Sequence, residues 1–171
     1  MNLYAATIPQ FKRILQNVER WVDRAVVFAE GKKFDPNTLL SARLAPDQFA
    51  LVRQIQAVCD QTKLTVARLT AKEPPKHPDT EQTFDELRKR LHSVIAYLDT
   101  FEPRDFDGAD ARLISLPFFP EGKAMAGHDY LVERQLPNVY FHASMVYAIL
   151  RHNGVDLGKA DFIGQVSYMD K

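Results

Sequence analysis

The sequence predicts an all-α protein, a four-helix bundle with a short β-hairpin or loop excursion between the third and fourth helices. Three observations carry this expectation. Four long stretches repeat apolar side chains at alternating steps of three and four, the spacing of one helix face. Proline and glycine punctuate the gaps between them. The longest internal departure from the helical period is Arg104 to His128.

The first helix is expected over residues 4–30. Ile8, Phe11, Leu15, Val18, Val22, Ala25 and Ala29 form its row, and Ile14, Trp21 and Phe28 widen it before Gly31 ends it. The second is expected over 46–71, opened by Pro46 with Asp47 suited to the helix dipole. Its inner face is Val52, Ile55, Cys59, Val66 and Leu69. Pro74, Pro75 and Pro78 then exclude helix. The third, over 81–101, starts near Thr83, whose spacing to Glu86 is that of a capping box. Phe84, Leu87, Leu91, Val94, Leu98 and Phe101 are its row, and Pro103 its stop.

Between helices, Arg112–Leu116 and Lys123–Ala126 read as two short strands turned by Pro120-Glu121-Gly122. The fourth helix is expected over 129–153, tolerating or kinking at Pro137 and stopped by Gly154. A tail with Val155, Leu157, Phe162 and Ile163 then docks on the bundle. All 171 residues are expected to form one domain.

Composition narrows the function classes. Apolar residues make up 46% and charged residues 26%, a globular balance. Lys and Arg number 22, as do Asp and Glu, so no basic excess marks a nucleic-acid footprint. Near-zero net charge gives little protection against self-association, and a homodimer is the expected partner state. One cysteine excludes an intrachain disulfide and points to a reducing compartment. No leader pattern and no run of about 20 apolar residues is visible, so a cytoplasmic location away from membranes is expected.

The most informative segment is Pro137–Gly154, where Asn138 and His142 sit one turn apart in an apolar stripe. Buried polar groups need partners. Either His142 is a metal ligand or proton-transfer group with Asn138 orienting a ligand, or it is a half-buried histidine satisfied by Asn138, a tyrosine or a carbonyl. A single histidine without a companion ligand on its helix is a poor metal site. Among the other histidines, His77 reads as solvated in the proline-rich loop and His152 as a helix-end cation. His92 and His128 are conceivable companions of His142 in a composite site. Glu102, Asp105, Asp107 and Asp110 fail the spacing of a calcium loop, because Gly108 falls fourth and Leu116 twelfth from Asp105. Cys59 reads as an inert buried thiol, with Lys63 four residues on as the group able to lower its pKa.

The pattern Asn138-x-x-x-His142, with Ile149-Leu150-Arg151 and Gly154 after it, resembles the final helix of the DinB/YfiT-like bundle superfamily. Metal-binding members carry a His-x-x-x-His pair leading into a leucine-arginine and a glycine. The runs Ala45–Phe49 and Tyr140–Val155 look similar to a bacterial branch of uncharacterised proteins there, a domain of unknown function, over nearly the whole chain. The resemblance implies the same four-helix plan, with thiol-dependent transferases and hydrolase-like metalloenzymes among its members.

Aligned on Arg151, His142 stands at the second histidine of the pair and Asn138 at the first. The family's third histidine lies on the second helix, whereas this chain has none between Pro46 and Lys72. Asp47, Gln48 and Gln54 are the polar replacements. Carboxamides are weak ligands for zinc or nickel, so no tight metal cofactor is expected. The resulting expectation is a degenerate metal site keeping a small-molecule pocket around Asn138, His142, Tyr140, Tyr147 and Gln54. A non-catalytic homodimeric scaffold is the first alternative, and a metal-dependent thiol transferase or hydrolase-like enzyme the second.

Overall fold

A computed structural model describes residues 2–169 and contains the four long helical segments that the periodicity predicts. Helix α1 (Leu3–Gly31) opens on Asn2, whose side chain accepts from the Ala5 N–H. Its expected apolar row is buried throughout, with Trp21 and Phe11 almost fully enclosed. A 3₁₀ turn, Pro36–Ser41, capped by Asp35, then leads toward α2 (Leu51–Thr70).

Helix α2 starts five residues after Pro46, where the sequence placed its opening. Pro46 and Asp47 sit in a turn closed by the Gln48 N–H on the Ala45 carbonyl, and Leu51 N–H donates to Ala42 at 2.8 Å. Proline in a turn is as well satisfied as proline at a helix start, so the residue alone did not decide between them. Helix α2 ends at Ala71, which adopts a left-handed conformation (φ 57°). The proline-rich segment that follows is extended up to α3 (Phe84–Leu98), whose Thr83–Glu86 capping box forms as expected. Helix α3 is shorter than expected at both ends, and Phe101 is buried from the following turn.

The excursion holds a minimal antiparallel hairpin, β1 (Leu113–Ile114) with β2 (Met125–Ala126), pairing Leu113 with Ala126 and Ile114 with Met125. The last long helix then runs unbroken as α4 (Gly127–Asp129), a π segment (Tyr130–Gln135) and α5 (Leu136–His152). The wider turns lie just before Pro137, whose ring and missing N–H conflict with a regular α-helix at that point.

Helix α2 packs most extensively against α5 and also against α3, while α1 packs on α3 and α5. Val139, Ala143, Val146 and Leu150 of α5 are fully enclosed in that core. The tail forms α6 (Lys159–Ile163), held to α1 by stacking of Phe162 on Trp21 (ring centroids 5.5 Å). Val155 and Leu157 are buried beneath it, whereas Ile163, expected to dock, is 48% exposed. Among the described residues, no helix is long and apolar enough to cross a membrane.

Candidate functional site

The antiparallel packing of α2 on α5 brings Gln54 against His142. Gln54 is buried, and a buried carboxamide needs partners at both ends. Its Nε2 donates to the Phe49 carbonyl at 3.3 Å. A carbonyl only accepts, so this contact fixes the amide orientation and leaves Oε1 facing His142 Nδ1 at 2.8 Å. Oε1 in turn only accepts, so Nδ1 carries the ring proton and Nε2 keeps its lone pair. Nε2 has no protein partner among the described residues.

His142 is half-buried, with Phe49 parallel to its ring (centroids 6.4 Å, 10° between planes) and Phe141 edge-on to it at 5.3 Å. Phe49 and Phe141 are each 52% exposed, so the imidazole lies between two aromatic rings open to solvent. The Arg53 guanidinium lies 5.7 Å from the Phe49 ring centre. Burial first, then the Arg53 charge, hold the imidazole below its ordinary pKa of 6.5 and favour the neutral ring. Beside it, Gln48 Nε2 meets Met145 Sδ at 2.9 Å while its buried Oε1 lacks a partner.

The five predicted pocket residues do not gather. Gln54 and His142 meet directly. Asn138 is half-buried one turn earlier and makes no side-chain hydrogen bond among the described residues. Tyr140 lies elsewhere, on a groove of about 200 Å³ with Arg13, Asn17 and Phe162. Tyr147 packs edge-on against Trp21 and donates to the Leu157 carbonyl at 3.3 Å. Both tyrosines serve the docking of the tail on α1. The reason is helical geometry: positions two before and five after His142 point well away from its face. Asp47 stays exposed in its turn.

The composite histidine site does not form either. His92 pairs with Glu19 across α1 and α3, His128 with Asp129 at 3.0 Å, and His152 is exposed. Among the described residues, no group of three His, Cys, Asp or Glu is placed to hold a metal ion. The donor set at His142 is one imidazole and one carboxamide oxygen already engaged by Nδ1–H, which does not fit a zinc or nickel centre. Asp105 proves to be a cap, accepting from the Glu102 N–H and pairing with Lys72 at 2.7 Å.

Sequence reasoning missed a second polar cluster altogether. His77, expected in solvent, is wedged between Lys63 Nζ at 2.8 Å and Ser93 Oγ at 3.0 Å. Buried Arg90 bridges Asp60, Asp79 and Glu81 at 2.7, 2.9 and 3.0 Å. The available signal was Arg90 itself, an arginine set against Leu87, Leu91 and Val94 on an inner face. Burial pushes the Cys59 thiol up to about 12 against the opposing charge of Arg90, so it remains an unreactive thiol.

Residues 3–163 match the family described as Domain of unknown function (DUF1993). The chain is also similar to a DinB family member protein from Shewanella denitrificans, known from a crystal structure at 1.83 Å resolution. The two share 46% sequence identity and a TM-score of 0.95, over 99% of this chain and 96% of that one. No curated protein matches the chain.

Proposed function

The chain belongs to the DUF1993 family and shares the DinB-type bundle, and on that premise we propose that it is a bacterial, cytoplasmic small-molecule-binding protein using a metal-free remnant of the family's metal site. Gln54 is the second-helix residue that stands in for the family's third histidine. The ligand is a small molecule with a flat apolar part, which packs against Phe49 and Phe141, and a hydroxyl or N–H that donates to His142 Nε2. The observation that carries the reading is the contact chain Phe49 carbonyl, Gln54, His142, which leaves one oriented lone pair between two exposed rings. Neutral imidazole with an outward lone pair accepts a hydrogen bond without a metal.

A panel of aromatic alcohols and amides, screened by NMR with and without zinc or nickel, tests this. Expected are hits that perturb the Gln54 side-chain amide without metal and vanish in His142→Ala. Stoichiometric zinc or nickel in protein purified without chelator, lost in the same variant, would instead support a metal-dependent transferase or hydrolase.

A second reading draws on the same exposed surface. Phe49 and Phe141 are each 52% exposed, and a molecule with no net charge has little repulsion to keep two copies apart. A non-catalytic homodimer closing over this face would show a concentration-dependent mass in sedimentation, abolished by Phe141→Glu. A monomer at every concentration removes it.

A further inference from the structure

The segment from Lys72 to Gln82 crosses the α2–α3 face as an extended strap containing Pro74, Pro75 and Pro78. Three prolines deny it regular hydrogen bonding, so side chains must hold it. They do so through one cluster. Arg53, Lys63 and Arg90 face Asp60, Asp79 and Glu81, three charges of each sign. Gln56 adds a bond to Glu81 at 2.8 Å. The strap contributes Asp79 and Glu81, and its centre is pinned by His77.

The contacts of His77 fix its protonation state. Lys63 Nζ has only donors, so the Nδ1 it meets must offer a lone pair, and Nε2–H donates to Ser93 Oγ. A second ring proton would set N–H against ammonium across 2.8 Å and add a fourth cation to a balanced cluster. Lys63 is buried, with its ammonium shared between Asp60 and His77. An open groove of about 440 Å³, lined by Asp60, Lys63, Glu73, Lys76 and His77, gives protons a route in.

We propose that His77 is the pin of an acid-released strap: its protonation breaks the Lys63 contact and frees the segment from the α2–α3 face. The charged groups that bear on His77 are Lys63 and Asp60 from α2, Glu73, Lys76 and Glu81 from the strap, and Arg90 from α3. Burial comes first among the influences and disfavours the charged ring. Lys63 and Arg90 act in the same direction, and Asp60 and Glu81 oppose them.

NMR titration of the full-length protein tests the release without any variant. As pH falls below 6.5, the His77 ring signals and the backbone signals of the strap should move together, with α1 unaffected. In parallel, trypsin cleavage after Lys76 is measured relative to a free peptide of residues 72–82 at each pH. This ratio should rise about tenfold per pH unit while one proton is linked to opening. His77→Gln keeps an acceptor for Lys63 and cannot titrate, so its ratio should stay flat. Ring titration with the strap signals unmoved overturns the proposal, as does an unchanged acid step in His77→Gln.

Discussion

Gln54 Oε1 and His142 Nδ1 meet at 2.8 Å although 88 positions separate them in the chain. The contact sets the tautomer of the ring, and its removal has two readable effects. Gln54→Ala should strip Nδ1–H of its partner and cost about 1–2 kcal/mol in urea unfolding. Gln54→Glu should place a carboxylate there and raise the His142 pKa above that of the native protein, measured by ring NMR. An unchanged titration in the glutamate variant would show that the two side chains do not meet in solution.

Stability should depend on pH through His142 with a definite sign. Its pKa is lowered in the folded chain relative to the ordinary 6.5, so the unfolded chain binds more protons between those values. The folded state is therefore fully favoured above pH 6.5 and weakens as pH falls toward the lowered value. Urea midpoints of the native protein and His142→Asn, compared across this interval, should converge on acidification as the native protein loses stability.

Arg90 offers a larger effect. Its guanidinium is almost wholly enclosed and serves three carboxylates. Arg90→Met should leave Asp60, Asp79 and Glu81 without their shared cation and cost about 3–5 kcal/mol. Urea unfolding of the native protein and the variant would measure the loss.

Two backbone positions should respond in opposite directions. Ala71 ends α2 with φ of 57°, a conformation that glycine adopts without penalty, so Ala71→Gly should stabilise by about 0.5–1 kcal/mol. At Gly127, a Cβ would come within 1.9 Å of the Ala109 carbonyl oxygen, so Gly127→Ala should destabilise by about 2–3 kcal/mol. Thermal midpoints of the two variants check both signs.

The helices were legible because each carries a long apolar row, and rows such as Ile8 to Ala29 or Phe84 to Leu98 have no other efficient burial. The start of α2 was not, because Pro46 and Asp47 suit a turn as well as a first helical turn. The replacement for the family's second-helix histidine was narrowed to three polar residues, and packing brings Gln54, rather than Asp47 or Gln48, against His142, where Asn138, a tyrosine or a carbonyl was the expected partner. Tyr140 and Tyr147 were grouped with His142 by nearness in sequence, yet helical rotation sends them to the tail. His77 was misread because its neighbours are prolines, while its partners Lys63 and Ser93 come from elements distant in the chain.

The π segment Tyr130–Gln135 has a consequence for chain length. A turn of this kind accommodates an additional residue relative to an α-helix, with the strain taken up locally. Shortening it by one residue should therefore restore ordinary winding while every position after Pro137 keeps its azimuth. The imidazole would still look toward its carboxamide, which makes this stretch a natural place for insertions and deletions to be absorbed.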